Sequence, residues 1–196
     1  IKEQLKKTET GIVTKQDMLE NQVKSVYLGI GSNLGNKKNN IEKTKFKLEQ
    51  NNIKILQSSS FYETFSQPNK KDPKFLNVII SVKTSLSPVD LMLTLLSVEK
   101  QIGRERKIKN EPRICDLDII DYNGLVGEYK IYDNNLTLPH KSLIYRNFVL
   151  YPLKEISFNW IHPKSKKSID DLIKTIESTN NEITKFTEND INTHVK

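Results

Sequence analysis

The sequence predicts an α+β domain with a ferredoxin-like β-α-β-β-α-β core, a mixed or antiparallel sheet carrying both helices on one face. Three observations lead there. Val26, Leu28 and Ile30 alternate with Tyr27 and Gly29, as in a half-buried strand. "FLNVIISVKT" (75–84) is a more continuously apolar strand, and "PRICDLDII" (112–120) reads as another. Two helical patterns fall between them.

In chain order, "GSNLGN" (31–36) turns the first strand into a helix from about Asn39 to Gln50, with Ile41, Lys45 and Leu48 along one side. Ile53 to Tyr62 reads as the second strand. "SPVD" (87–90) sets Ser at the N-cap, Pro at N1 and Asp at N3 of the second helix. That helix turns Leu91, Leu95, Val98 and Ile102 inward. A hairpin is expected from Asn123–Gly124 to Leu138, followed by short helical pieces. Ile169, Leu172, Ile173 and Ile176 mark a peripheral C-terminal helix. Residues 1–24 are polar and read as a flexible extension or linker, 25–180 as the folded domain, and 181–196 as a polar tail.

At 196 residues, 36% hydrophobic and 28% charged, the composition is that of one globular domain, with no apolar run long enough for a membrane span. Cys115 is the only cysteine, which excludes an internal disulfide and fits a reducing compartment. With neither an apolar nor an Arg-rich leader, the cytoplasm is the expected location. A net charge of +7 suits an anionic ligand, and does not separate a nucleotide from a nucleic acid.

Side chains alternate along a strand, so Asp116 and Asp118 point the same way, about 7 Å apart. Burying two carboxylates side by side is costly unless a cation lies between them. An open sheet face removes most of that cost. D-x-D alone leaves two readings, ion pairs with nearby lysines and arginines or a metal site. The preceding loop favours the second. "GRERKIKNEPR" (103–113) holds Arg104, Arg106 and Arg113 with Lys107 and Lys109, in a chain where lysine far outnumbers arginine. Carboxylate oxygens beside guanidinium forks suit Mg²⁺ and a triphosphate; a solvated surface or an RNA contact is the alternative. In "LPHKSLIYRNFVLYPL" (138–153), His140 reads equally as a phosphate contact or a packing residue. Arg146 could cap a helix there, and Phe148 could sit in the core.

The combination of "GSNLG" (31–35), "SSFYET" (59–64), "FLN" (75–77), "GRERK" with "PRICDLDII", and "LPH" with "RNFVL" resembles the 6-hydroxymethyl-7,8-dihydropterin pyrophosphokinase family, from about Tyr27 to Ile176. That family moves pyrophosphate from ATP to a pterin alcohol in folate biosynthesis and releases AMP. The resemblance implies that Asp116 and Asp118 hold two Mg²⁺ ions. It implies that Arg104 and Arg113 lie in a mobile catalytic loop, Arg113 for transition-state charge and Arg104 for loop closure. Arg106, Lys107 and Lys109 would join them on ATP, with His140 and Arg146 at the phosphates. Adenine would lie against Ile119 and the segment from Thr137 to Lys141. The pterin would stack between Phe75 and Phe148, its edge met by Asn77 and by groups of Thr64, Phe65 and Gln67. Glu99 matches an acidic position that orients the loop or the metal site.

Two departures stand out. Glu111 occupies a position before the PR that is usually Gly in the family, placing a carboxylate near the triphosphate. "FSQP" (65–68) lacks the family's usual proline pair. The partners implied are ATP and a dihydropterin alcohol, with neither nucleic acid nor membrane, and with fusion to or association with another folate-pathway enzyme. One rival is an RNA-binding module on the same layout, opposed by two aspartates in the middle of the open face. The other is a phosphotransferase for a different alcohol, opposed only by the aromatic pair with Asn77.

Overall fold

The computed structural model describes residues 7–8, 11–12, 24–67, 69–105, 111–132, 134–177 and 182–186. Within the N-terminal stretch, Lys7–Thr8 pairs antiparallel with Gly11–Ile12. The main sheet is built from β1 (Lys24–Ser32), β2 (Lys54–Ser58), β3 (Tyr62–Thr64), β4 (Phe75–Thr84), β5 (Asp116–Tyr122) and β8 (Ile183–Lys185). The strand order is β8-β3-β4-β1-β5, with β2 also on β4, and every ladder is antiparallel. Helices α1 (Lys37–Gln50) and α2 (Pro88–Ile102) complete the expected β-α-β-β-α-β core.

Period-two patterning decides which way each strand faces. Val26, Leu28 and Ile30 of β1, Leu76, Val78, Ile80 and Val82 of β4, and Leu117 and Ile119 of β5 bury against Ile41 and Leu48 of α1 and Leu91, Leu95 and Val98 of α2. The α2 start is as the sequence predicts: the Ser87 side chain accepts from the Asp90 N–H, and Gly103 ends the helix at φ +102°. On α1, Thr44 rather than Lys45 joins the buried stripe; its hydroxyl donates to the Asn40 carbonyl, while Lys45 reaches Glu42.

Several expectations are corrected. The run 53–62 is two strands, because Ser59 interrupts the ladder: its N–H bonds the Ile79 carbonyl, and its hydroxyl accepts from the Ile79 N–H. The hairpin is β6 (Gly127–Ile131) with β7 (Asn134–Leu138), a separate two-stranded sheet. Asn123 and Gly124, both at positive φ, form the turn that leaves β5, held by the Asp121 carboxylate on the Gly124 N–H. Nor is the second sheet face wholly open. Helix α3 (Asn147–Ile156) and helix α4 (Ile169–Glu177) cover half of it. The three isoleucines and the leucine of 169–176 are therefore buried in a second core with Ile79, Ile120 and Trp160 rather than peripheral. A β-bulge at Ile120 sends both Ile120 and Asp121 to this side, where the Trp160 indole donates to Asp121 at 2.7 Å. Finally, β8 lies inside the stretch read as a polar tail.

Candidate active site

The uncovered half of the second face is a row set by strand register. Asp116 on β5 pairs with Gly31 on β1, Gly31 with Asn77 on β4, and Asn77 with Tyr62 on β3. Glycine matters here. A Cβ on Gly31 would lie 3.2 Å from the Asn77 Oδ1 and 3.5 Å from the Phe75 ring, so its absence opens the floor between the carboxylate and the amide. Two pairs further along, Asp118 faces Gly29.

Each carboxylate is held by cations. Arg104 donates to Asp116 Oδ1 at 2.6 Å and Arg113 to Asp116 Oδ2 at 2.8 Å. Arg146 donates to Asp118 Oδ2 at 3.1 Å, with His140 Nε2 at 4.0 Å from the same oxygen. Glu99, buried on α2, accepts from Arg104 and from the Leu117 N–H, fixing the start of the basic loop to β5. Burial alone would raise the Asp116 pKa; Arg113 and Arg104 outweigh it and hold the carboxyl below its usual range. Arg104 is correspondingly raised, its desolvation overcome by Asp116 and Glu99. Burial lowers His140, which Asp118 only partly offsets, so its neutral form is favoured.

The arginines also rest on aromatic rings: Arg113 lies 4.9 Å from the Phe75 centroid and Arg146 5.5 Å from that of Phe148. The buried Nε of Arg113 has no hydrogen-bond partner among the described residues. Its backbone is clasped by Asn33, which accepts from the Arg113 N–H at 2.6 Å and donates its own N–H to the Arg113 carbonyl at 3.0 Å. The Asn33 amide also reaches Ser66 and the Pro73 carbonyl.

Two cavities meet at Asp118. The larger, about 440 Å³, brings together Thr64, Phe65, Gln67, Phe75, Asn77 and Phe148, along with Arg113, Asp116 and Arg146. The smaller, about 260 Å³, is lined by Ile119, Thr137, His140 and Lys141 against Met92 and Leu96 of α2. Arg106, Lys107 and Lys109 lie outside the described residues. The sequence reading missed Asn33, although "GSNLG" contained it. It also missed Lys70, Tyr145, Asn147 and Glu182 in the larger cavity and Tyr132 and Asn135 in the smaller. Glu182 carried no sequence signal, since only the pairing of β8 on β3 brings it there.

The donor set also bears on metal. Among the described residues no group of three or more His, Cys, Asp or Glu could cage an ion. Two carboxylates beside guanidinium groups instead fit Mg²⁺, which takes one or two protein oxygens and completes its shell with phosphate and water.

Comparison with known proteins identifies the family. Residues 27–158 match the family model described as 7,8-dihydro-6-hydroxymethylpterin-pyrophosphokinase (HPPK). A 2-amino-4-hydroxy-6-hydroxymethyldihydropteridine pyrophosphokinase of Aquifex aeolicus is 39% identical over 145 residues, 74% of this chain and 88% of that protein. A folic acid synthesis protein of Pneumocystis carinii is 36% identical over 157 residues, 80% of this chain but only 20% of that protein. The chain thus spans about a fifth of that longer relative. A crystal structure of Plasmodium falciparum HPPK-DHPS with pteroate superposes with a TM-score of 0.66 at 16% identity, covering 81% of this chain and 43% of that one.

Proposed function

The chain belongs to the 7,8-dihydro-6-hydroxymethylpterin-pyrophosphokinase family, and we propose that it transfers pyrophosphate from ATP to 6-hydroxymethyl-7,8-dihydropterin, giving the pterin pyrophosphate and AMP. One observation carries the reading: an aromatic-walled cavity and a second cavity backed by α2 meet at Asp118, a carboxylate held by Arg146 beside the Arg104–Asp116–Arg113 cluster. Two substrates in those cavities would bring an alcohol and a triphosphate together beside Asp116 and Asp118.

The pterin lies between Phe75 and Phe148. The Asn77 amide N–H groups are spent on Thr64 Oγ1 and the Tyr62 carbonyl, which leaves Oδ1 to accept from the ring edge. Thr64, Phe65 and Gln67 complete that wall. ATP sets its base against Ile119 and Thr137 and its phosphates toward Arg113, Arg146 and His140, with Arg106, Lys107 and Lys109 as further contacts. Asp116 and Asp118 would hold two Mg²⁺ ions, which when bound neutralise triphosphate charge and favour deprotonation of the alcohol. The arginines exchange partners. As phosphate oxygens arrive, the guanidinium groups of Arg104, Arg113 and Arg146 turn from carboxylates to phosphate, freeing carboxylate oxygens for metal. The Arg113 Nε, without a partner among the described residues, supports this as a buried donor that a phosphate oxygen would satisfy. The pterin alcohol oxygen then attacks the β-phosphorus. The bond from that phosphorus to the α-β bridging oxygen breaks, AMP departs with the oxygen, and the alcohol proton is released. Neutral His140 donates a hydrogen bond to phosphate without adding charge.

Residues 25–180 are proposed as the catalytic unit, with fusion to or association with another folate-pathway enzyme, as the length of the Pneumocystis relative suggests. A cytoplasmic setting belongs to the same reading; among the described residues no helix is long and apolar enough to cross a membrane. The test is a product assay with ATP, Mg²⁺ and the dihydropterin alcohol that resolves AMP from ADP. Pterin-dependent AMP, abolished in Asp116→Ala, is expected; ADP in its place would overturn the reaction type.

A further inference from the structure

Tyr132, which follows β6, combines three properties that packing does not explain. The residue is 77% exposed. Its backbone adopts φ +51°, a left-handed conformation that Gly or Asn accepts more readily than a bulky residue. Yet it lines the smaller cavity, which Met92 and Leu96 border from α2 and Thr137 from β7. An aromatic ring kept in water, in an unfavourable conformation and at the lip of an apolar-walled cavity, contributes little to the fold. It offers instead a flat face to a ligand. Asn123 and Gly124, also at positive φ, show the residue types such turns ordinarily take.

We propose that Tyr132 stacks on the nucleotide base in this cavity, with the side chains of Met92 and Leu96 meeting the opposite face. The inference rests on the smaller cavity being the base site of ATP. A purine presents two π faces. Thioether and aliphatic groups cover one of them well, and a tyrosine ring, rigid and with few torsions to fix, covers the other at low entropic cost. Because the ring is exposed in the free chain, the contact contributes to nucleotide affinity and not to folding. Because it grips only the base, it leaves triphosphate binding untouched.

The experiment is calorimetric titration of the full chain with Mg²⁺ and either α,β-methylene-ATP or inorganic tripolyphosphate. Tyr132→Ala is expected to weaken the nucleotide analogue by about tenfold, and Tyr132→Phe by less than about twofold. Tripolyphosphate should bind all three chains alike. Unchanged nucleotide affinity in Tyr132→Ala, with wild type preferring the nucleotide over tripolyphosphate, would overturn the stacking while leaving the base site in place. Equal affinity of wild type for nucleotide and tripolyphosphate would overturn the base site and the stacking with it. Loss of tripolyphosphate affinity in Tyr132→Ala would likewise overturn the proposal, as a base contact cannot cause it.

Discussion

Glu99 illustrates how much one buried charge organises. It sits on the inward side of α2, only 2% exposed, and is tolerable there because the Leu117 N–H and the Arg104 guanidinium both donate to it. Arg104 is in turn shared with Asp116. Glu99→Ala leaves the Leu117 N–H and one side of the guanidinium without an acceptor inside the protein. A loss of about 3–5 kcal/mol is expected, read from urea unfolding, with Glu99→Gln losing less because it retains an acceptor oxygen. An alanine variant as stable as the wild type would mean that water replaces the carboxylate. Cys115, next to Asp116, is the opposite case: burial pushes its thiol up to about 12, so it is a packing residue rather than a nucleophile.

At the scale of elements, the site depends on ends and irregularities. Helix α2 begins at a capped serine and ends at a left-handed glycine, which hands the chain straight to Arg104. Ser87→Ala removes the acceptor for the Asp90 N–H and should cost about 1 kcal/mol in thermal unfolding, without altering the arginine cluster at the far end. No change in stability would show that solvent caps the helix equally well. The break at Ser59 frees the chain to turn, and the Glu155 carboxylate holds it there through the Ser60 N–H and hydroxyl and the Tyr62 hydroxyl. Helix α3 thereby fixes β3, the strand that leads into the Thr64–Gln67 wall.

For the whole molecule, pH acts through groups with a common sign. Burial lowers His140 and His162, so protonation favours the unfolded chain and stability falls as pH drops below the ordinary histidine value. For Asp116, Glu63 and Glu155 burial is outweighed, by Arg113 and Arg104, by Lys37 and Lys74, and by the Ser60 and Tyr62 hydrogen bonds with Lys185 respectively. Their depressed pKa values contribute stability that is present above the ordinary carboxylate range and lost as pH falls through the folded values. Both sets predict a urea midpoint that declines steadily from pH 7.5 to pH 4. A midpoint that rises on acidification would show that these carboxylates and histidines do not carry the depressed pKa values their surroundings imply, since added positive charge on a chain of net charge +7 can only lower it.

By itself the sequence determined the strand and helix order, the cap at Ser87, the shared direction of Asp116 and Asp118, and the clustering of arginines before them. These are local properties, carried by period-two and helical patterning and by spacing along one segment. Its motif pattern also named Thr64, Phe65, Gln67, Phe75, Asn77 and Phe148, which the fold gathers in the larger cavity. Only the tertiary structure decided that Gly31 forms the floor between Asp116 and Asn77, since register joins three strands distant in sequence. The same holds for Asn33 clasping Arg113, for α3 and α4 covering half of the second face, and for β8 bringing Glu182 to the cavity. Tyr132 reads as an ordinary hairpin residue until the wall of α2 stands near it. A pattern encodes which side of its own element a residue occupies. What lies across from it is set by the packing of elements brought together from the whole chain.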